Sequence, residues 1–111
     1  MKNNLYEFTM KVSRGEGCEL PKGMSRAYVN CYAPAPDHKA AIKKGVIAIT
    51  QDHYIFEEIV KDIREIPIDR WNEYIEKSWP GFTDYFPNSK QVETCVKEGL
   101  VFFSPFMGFN N

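Results

Sequence analysis

Leu5-Tyr6-Glu7-Phe8-Thr9-Met10-Lys11-Val12-Ser13 is the stretch on which the fold turns. Tyr6, Phe8, Met10 and Val12 alternate with Glu7, Thr9 and Lys11, and a period of two marks a strand with one buried and one wet face. Immediately downstream, Gly15, Gly17, Pro21 and Gly23 crowd residues 14–25 with breakers that neither a helix nor a central strand accepts. This is a loop of about a dozen residues, long enough to raise the question of function. Arg26 to Ala33 carries the β-formers Tyr28, Val29, Cys31 and Tyr32 and is expected to return against the first strand as a long-looped hairpin.

Pro34 and Pro36 are expected to stop the second strand, since neither can donate to a ladder. A helix begins near Asp37. Ala41, Ile42, Val46, Ala48 and Ile49 recur at helical spacing, Lys39, Lys43, Lys44 and Gln51 take the solvent side, and Asp52-His53 forms the turn out. Gly45 weakens this helix by about 1 kcal/mol relative to alanine without breaking it. Tyr54 to Ile66 mixes Ile55, Ile59 and Ile63 with charges and reads as one long or bent strand, or two in succession. Beyond Pro67, Asp69 is placed to cap a short helix whose stripe is Trp71, Tyr74, Ile75 and Trp79. Pro80-Gly81 ends it, and Phe82, Tyr85 and Phe86 follow in an irregular segment. Asn88 with Gln91 three residues on is a capping box for a helix carrying Val92, Cys95 and Val96, closed by Gly99. Leu100 to Phe103 is the final strand, and residues 104–111 form a tail containing Phe106, Met107 and Phe109.

The order ββαβααβ implies a single α+β domain over residues 1–111, a largely antiparallel sheet with helices packed on one face, ferredoxin-like or a related split sandwich. A chain of 111 residues with 16 aromatics has material for one core and is too short for two. Charges interrupt every apolar run well before the roughly 20 residues a membrane helix needs, so no membrane partner is expected. Cys18, Cys31 and Cys95 are odd in number and lack a Cys-x-x-Cys spacing, which suits a reducing, cytoplasmic setting.

The chemistry-bearing residues form no familiar site. His38 and His53 are the only histidines and have no metal-ligand spacing; no metal or cofactor is expected. Arg14-Gly15-Glu16-Gly17 lacks the third glycine and the Lys-Ser/Thr end of a phosphate loop. Glu57-Glu58 and Glu73-Glu76 are pairs of the kind that serve acid/base work when buried together, and are otherwise solvated. Lys11, Arg14, Lys22, Arg26, Lys39, Lys43 and Lys44 lie in the same half of the chain as Tyr28 and Tyr32, yet a pI near 6.1 opposes a phosphate footprint and no nucleic acid is expected.

Charge is instead unevenly placed. Residues 1–44 carry eight Lys/Arg against four Asp/Glu, and residues 45–111 carry six against eleven. Glu57, Glu58, Asp62, Glu65, Asp69, Glu73 and Glu76 gather within 20 positions, and the segments 79–86 and 102–109 hold eight of the aromatics. Such a chain is expected to be a non-catalytic protein-interaction domain of bacterial type. It would neutralise a basic toxin or effector as an immunity protein does, with those acidic residues and the tail rings Phe106 and Phe109 as the contact surface and self-association through the tail as a further outcome. The alternative is a small enzyme or ligand-binding protein with a pocket between the sheet and the 14–25 loop, near Cys31, Tyr32, His38 and Tyr54.

Overall fold

The computed structural model describes residues 2–21 and 23–109; Met1, Lys22, Asn110 and Asn111, including one of the basic residues and the end of the tail, lie outside the described residues. The two long strands are β1 (Asn4–Arg14) and β2 (Arg26–Ala35), paired antiparallel from Asn4↔Ala35 to Ser13↔Arg26. The loop between them is tied down locally. Arg14 Nη2 donates to the carbonyls of Leu20 (3.2 Å), Pro21 (2.6 Å) and Met24 (2.7 Å), and Leu20 is buried. β2 runs through Pro34, contrary to the expectation that it stops there. Pro34 lies beyond Tyr32, the last residue paired on the far side, where no neighbouring strand requires its missing N–H.

Helix α1 (His38–Gln51) is capped by Asp37, whose side chain accepts from the Ala40 amide at 2.8 Å. It leads to β3 (Tyr54–Ile59) and β4 (Arg64–Ile66), which pair one after the other with β1. The stretch 54–66 is therefore two strands in succession. A 3-10 turn over Ile68–Arg70 precedes α2 (Trp71–Ser78); Asp69 sits inside that turn and does not cap the helix. A second such turn, Thr83–Tyr85, precedes α3 (Ser89–Glu98), where Asn88 and Gln91 form the expected capping box and Gly99 closes at φ 70°. The chain ends in β5 (Phe102–Phe103) and β6 (Met107–Phe109), so the tail contributes a strand. The sheet order is β3-β1-β2-β5, with β4 continuing β3 along β1 and β6 continuing β5 along β2.

The architecture is α+β, with an antiparallel six-stranded sheet and three helices. β2, α1 and β3 form a split β-α-β unit around β1, as in a ferredoxin-like sheet. The second helical passage departs from that plan. One face of the sheet is covered by α1: Tyr6, Phe8, Met10 and Val12 join Val29, Cys31 and Ala33 and meet Ala41 and Ile49. The opposite face is covered at one end by α2 and α3, where Leu5, Tyr32 and Ile66 pack with Trp71, Ile75, Phe86, Val92 and Val96. Helices thus lie on both faces, correcting the one-face expectation. The reason is that apolar residues occupy both parities here: Leu5 and Tyr32 are out of phase with Tyr6 and Cys31, so this end of the hairpin is dry on both sides. Lys44, expected in solvent, instead joins the two layers by donating to the carbonyls of Pro34 (2.6 Å) and Gly99 (2.9 Å). No helix among the described residues is long and apolar enough to cross a membrane.

Candidate functional site: an open cleft on the outer sheet face

Both edges of the sheet break at the same level. On one side β3 gives way to β4 across residues 60–63, opposite Phe8 and Thr9; on the other, β5 gives way to β6 across 104–106, opposite Val29 and Asn30. There the Val60 amide donates to the Thr9 carbonyl at 2.9 Å, and the Asn30 amide donates to Ser104 Oγ, also at 2.9 Å. Between these breaks the outer face of the hairpin is not covered by α2 or α3. The result is a cleft of about 870 Å³. Its floor is Glu7, Thr9 and Asn30; Val60, Lys61, Asp62 and Arg64 form one wall, Tyr28 and Met107 the other, and Tyr74 and Ser78 of α2, with Trp79 just past its end, close one end.

The buried end of the cleft is organised around a carboxylate. Glu7 and Thr9, expected on the wet side of β1, are both buried, Glu7 to 7 % relative exposure. Burying an ionised carboxylate is tolerated only with several charge-assisted partners. Glu7 has four: Arg64 Nε at 2.6 Å, Asn30 Nδ2 at 3.0 Å, Tyr32 Oη at 3.3 Å, and Tyr74 Oη. The set extends outward. Trp79 Nε1 donates to Tyr32 Oη at 3.0 Å, the two phenol oxygens lie 2.8 Å apart, and Thr9 Oγ1 donates to Asn30 Oδ1 at 2.7 Å. Arg64 also lies over the Tyr74 ring, 5.4 Å from its centroid.

This network fixes protonation as well as geometry. Burial, the bond to Glu7 and the charge of that carboxylate push Tyr74 up to about 12. Tyr32 is also raised, by burial first and then by Tyr74 and Glu7. At neutral pH both phenols are therefore donors and not bases. The bond to Glu7 holds Arg64 in its charged form, although its side chain remains 60 % exposed. The guanidinium is thus anchored through Nε while the side chain stays largely exposed in the lining of the cleft. Beyond the floor, Lys11 and Arg26 share Glu57, the extra residue of a β-bulge, at 3.9 and 3.4 Å. Tyr28 there stacks on Phe109 with centroids 4.8 Å apart.

The expected site residues are only partly brought together. Cys31, Tyr32, His38 and Tyr54 do not converge. Cys31 is fully buried on the α1 face, where desolvation raises its thiol; Tyr32 is on the opposite face; His38 is exposed with its ring edge-on to Tyr6. Tyr54 stacks on Phe106 at 4.7 Å, and the 14–25 loop packs Cys18 and Leu20 into that same core. A pocket at those four residues is therefore corrected; Tyr32 alone belongs to the cleft's network. Of the acidic set, Asp62 lines the cleft, while Glu57 and Glu58 sit on β3, Glu65 on β4, Asp69 in the 3-10 turn, and Glu73 and Glu76 on α2. Arg64, Arg70 and Lys77 are interleaved with Glu65 and Glu73 around one hollow. Phe106 and Phe109 are half-buried against Tyr54 and Tyr28, so their rings are already engaged. Among the described residues the exposed Phe and Tyr rings are Tyr28, Phe82 and Tyr85, of which Phe82 and Tyr85 are the more open.

Sequence reasoning missed Glu7, Asn30, Arg64, Tyr74 and Trp79 as a site. The available signal was Tyr28 and Tyr32 out of phase with Val29 and Cys31, which implies contacts for both faces of β2. Comparison with known proteins finds no matching family model, no matching curated protein and no matching solved structure.

Proposed function

We propose that this chain is a small ligand-binding protein whose recognition site is the cleft on the outer sheet face. The observation that carries it is the coincidence of an 870 Å³ concavity with a pre-ordered polar cluster at its inner end and aromatic walls. That combination of apolar lining and a few fixed polar groups characterises small-molecule sites. Its groups are already held by one another before any ligand arrives, which lowers the ordering cost of binding. Three free cysteines fit the cytoplasm as the setting. The test is a fragment screen followed by amide and indole NMR shifts. Hits should move Thr9, Tyr28, Asn30 and the Trp79 indole N–H, and Ser78→Trp, which plugs the exposed end of α2 without touching the Glu7 cluster, should abolish them. A screen at millimolar concentration that leaves these signals unmoved refutes the proposal.

A second reading, a bacterial immunity-type protein that docks a basic toxin, is favoured by one observation. Phe82 and Tyr85 are 51 % and 56 % exposed, and Asp84, which lies between them in the chain, lines one hollow with Tyr85. Exposed rings rimmed by acid suit a basic protein surface. Capture of a basic protein at physiological salt, lost on Phe82→Ser/Tyr85→Ser, would support it, and capture unaffected by that change would refute it.

A further inference from the structure

We infer that the cleft selects a small organic anion with a flat apolar body, a carboxylate received by Arg64 and Lys61 with its body lying between Trp79 and Tyr28. This inference rests on the cleft being a ligand site and adds the charge and shape of what enters. Its basis is which charges in the lining are already satisfied. Glu7 accepts four donors, one on Oε1 and three on Oε2, so it has little to offer an incoming cation. Arg64 is in the opposite position. One of its nitrogens is fixed by Glu7 and its plane is held by Tyr74, while the rest of a largely exposed guanidinium faces solvent. A guanidinium pre-oriented in this way presents parallel N–H donors at the geometry of a carboxylate.

The surroundings point the same way. Lys61 stands in the same wall and has no ion pair among the described residues. Asp62, the remaining carboxylate of the lining, is exposed in that wall beside Lys61. Two residues beyond Thr9 on β1, Lys11 shares the single Glu57 with Arg26. The body of the ligand is specified by the walls. Val60, Tyr28, Trp79 and Met107 give apolar surface on both sides of a slot, and the rings favour stacking over a bulky aliphatic.

The experiment is an NMR titration of the full chain with three probes of one shape, benzoate, benzamide and benzamidine, with acetate as the anion lacking a ring. Benzoate should shift the Trp79 indole N–H and the Arg64 Nε–H and bind at least tenfold more tightly than benzamide and than acetate, with benzamidine leaving these signals in place. Arg64→Lys, which keeps a cation beside Glu7 but removes the planar fork, should weaken benzoate about tenfold. Lys61→Gln, outside the Glu7 cluster, should weaken it about threefold with the Tm unchanged. Equal binding of benzoate and benzamide in the cleft, or preference for benzamidine, overturns the anion inference while leaving a ligand site standing. If neither these probes nor any screened fragment moves the cleft signals, both fall.

Discussion

Replacing Glu7 by glutamine removes one charge and changes almost no volume, which makes it the sharpest probe of the cluster that joins α2 to the sheet. Arg64 is 60 % exposed, so water replaces much of what it loses and its share is about 0–1 kcal/mol. The other three donors, from Asn30, Tyr32 and Tyr74, are buried or half-buried. A glutamine oxygen can retain about two of them as weaker neutral bonds, but its NH2 must then face a remaining donor. Losing one to two charge-assisted bonds at about 1.5–3 kcal/mol each gives an expected destabilisation of about 3 kcal/mol. For a domain of this size that is a fall of roughly 10–15 °C in Tm. Tyr74→Phe removes one donor and strands nothing, because Glu7 keeps three partners, so it should cost only about 1 kcal/mol. Urea unfolding of the two single variants and the double variant closes the cycle. The double should be less destabilised than the sum of the singles by at least about 1 kcal/mol. Additivity within about 0.4 kcal/mol would show that Glu7 and Tyr74 do not act as one unit, and a Glu7→Gln cost below about 1 kcal/mol would show that the carboxylate is not holding the helix.

Three further outcomes are expected. Gly45→Ala gains about 1 kcal/mol of helix propensity, but its methyl would lie 2.5 Å from Phe8 Cζ and 2.7 Å from Cys31 Sγ, and overpacking of that kind costs about 1–3 kcal/mol. Thermal denaturation should therefore show a net loss, and a raised Tm would refute the close approach. Because Tyr32 and Tyr74 are raised in the folded chain, the unfolded chain sheds those protons first; their contribution is fully present below pH about 10 and is lost as pH climbs towards about 12. Urea midpoints should fall from pH 9 to 11, and fall less in Tyr74→Phe; a flat profile would contradict the shifts. Cys31, buried and raised, should resist a small alkylating reagent at pH 8 until unfolding, while the half-buried Cys18 and Cys95 react first, as peptide mass mapping would show. Labelling of Cys31 at the same rate would place it at the surface.

The local features were legible from the chain because each is decided within a few residues. The strand over 5–13, the helix start near Asp37, the Asn88–Gln91 box, the Gly99 closure and the break within 54–66 all appear where short-range chemistry puts them. The errors came from non-local choices. Glu7 reads as a solvated strand residue until α2 is known to cross the same face, and its partners lie 23 to 67 positions away. Gly45 reads as a helix weakness until the sheet is brought up against it. The acidic run reads as a patch in one dimension, but folding interleaves it with Arg64, Arg70 and Lys77.

Stability alone does not account for a charged cluster at this position. Replacing a buried ion pair and its partners with well-packed apolar residues is often neutral or stabilising, and the neighbouring Tyr32 ring already has four aromatic neighbours, Trp71, Tyr74, Phe86 and Phe102, to hold α2 and β5 in place. A leucine or methionine at position 7 would extend that packing. It would also release Arg64, whose position is set by a bond to Glu7 and by the Tyr74 face that Glu7 itself orients. An unanchored arginine of that length would sample many rotamers and lose about 1–2 kcal/mol of order on every binding event. The buried carboxylate therefore does for the cleft what an apolar substitute cannot. It converts a flexible surface cation into a fixed one, at the point where both sheet edges break and leave the hairpin open.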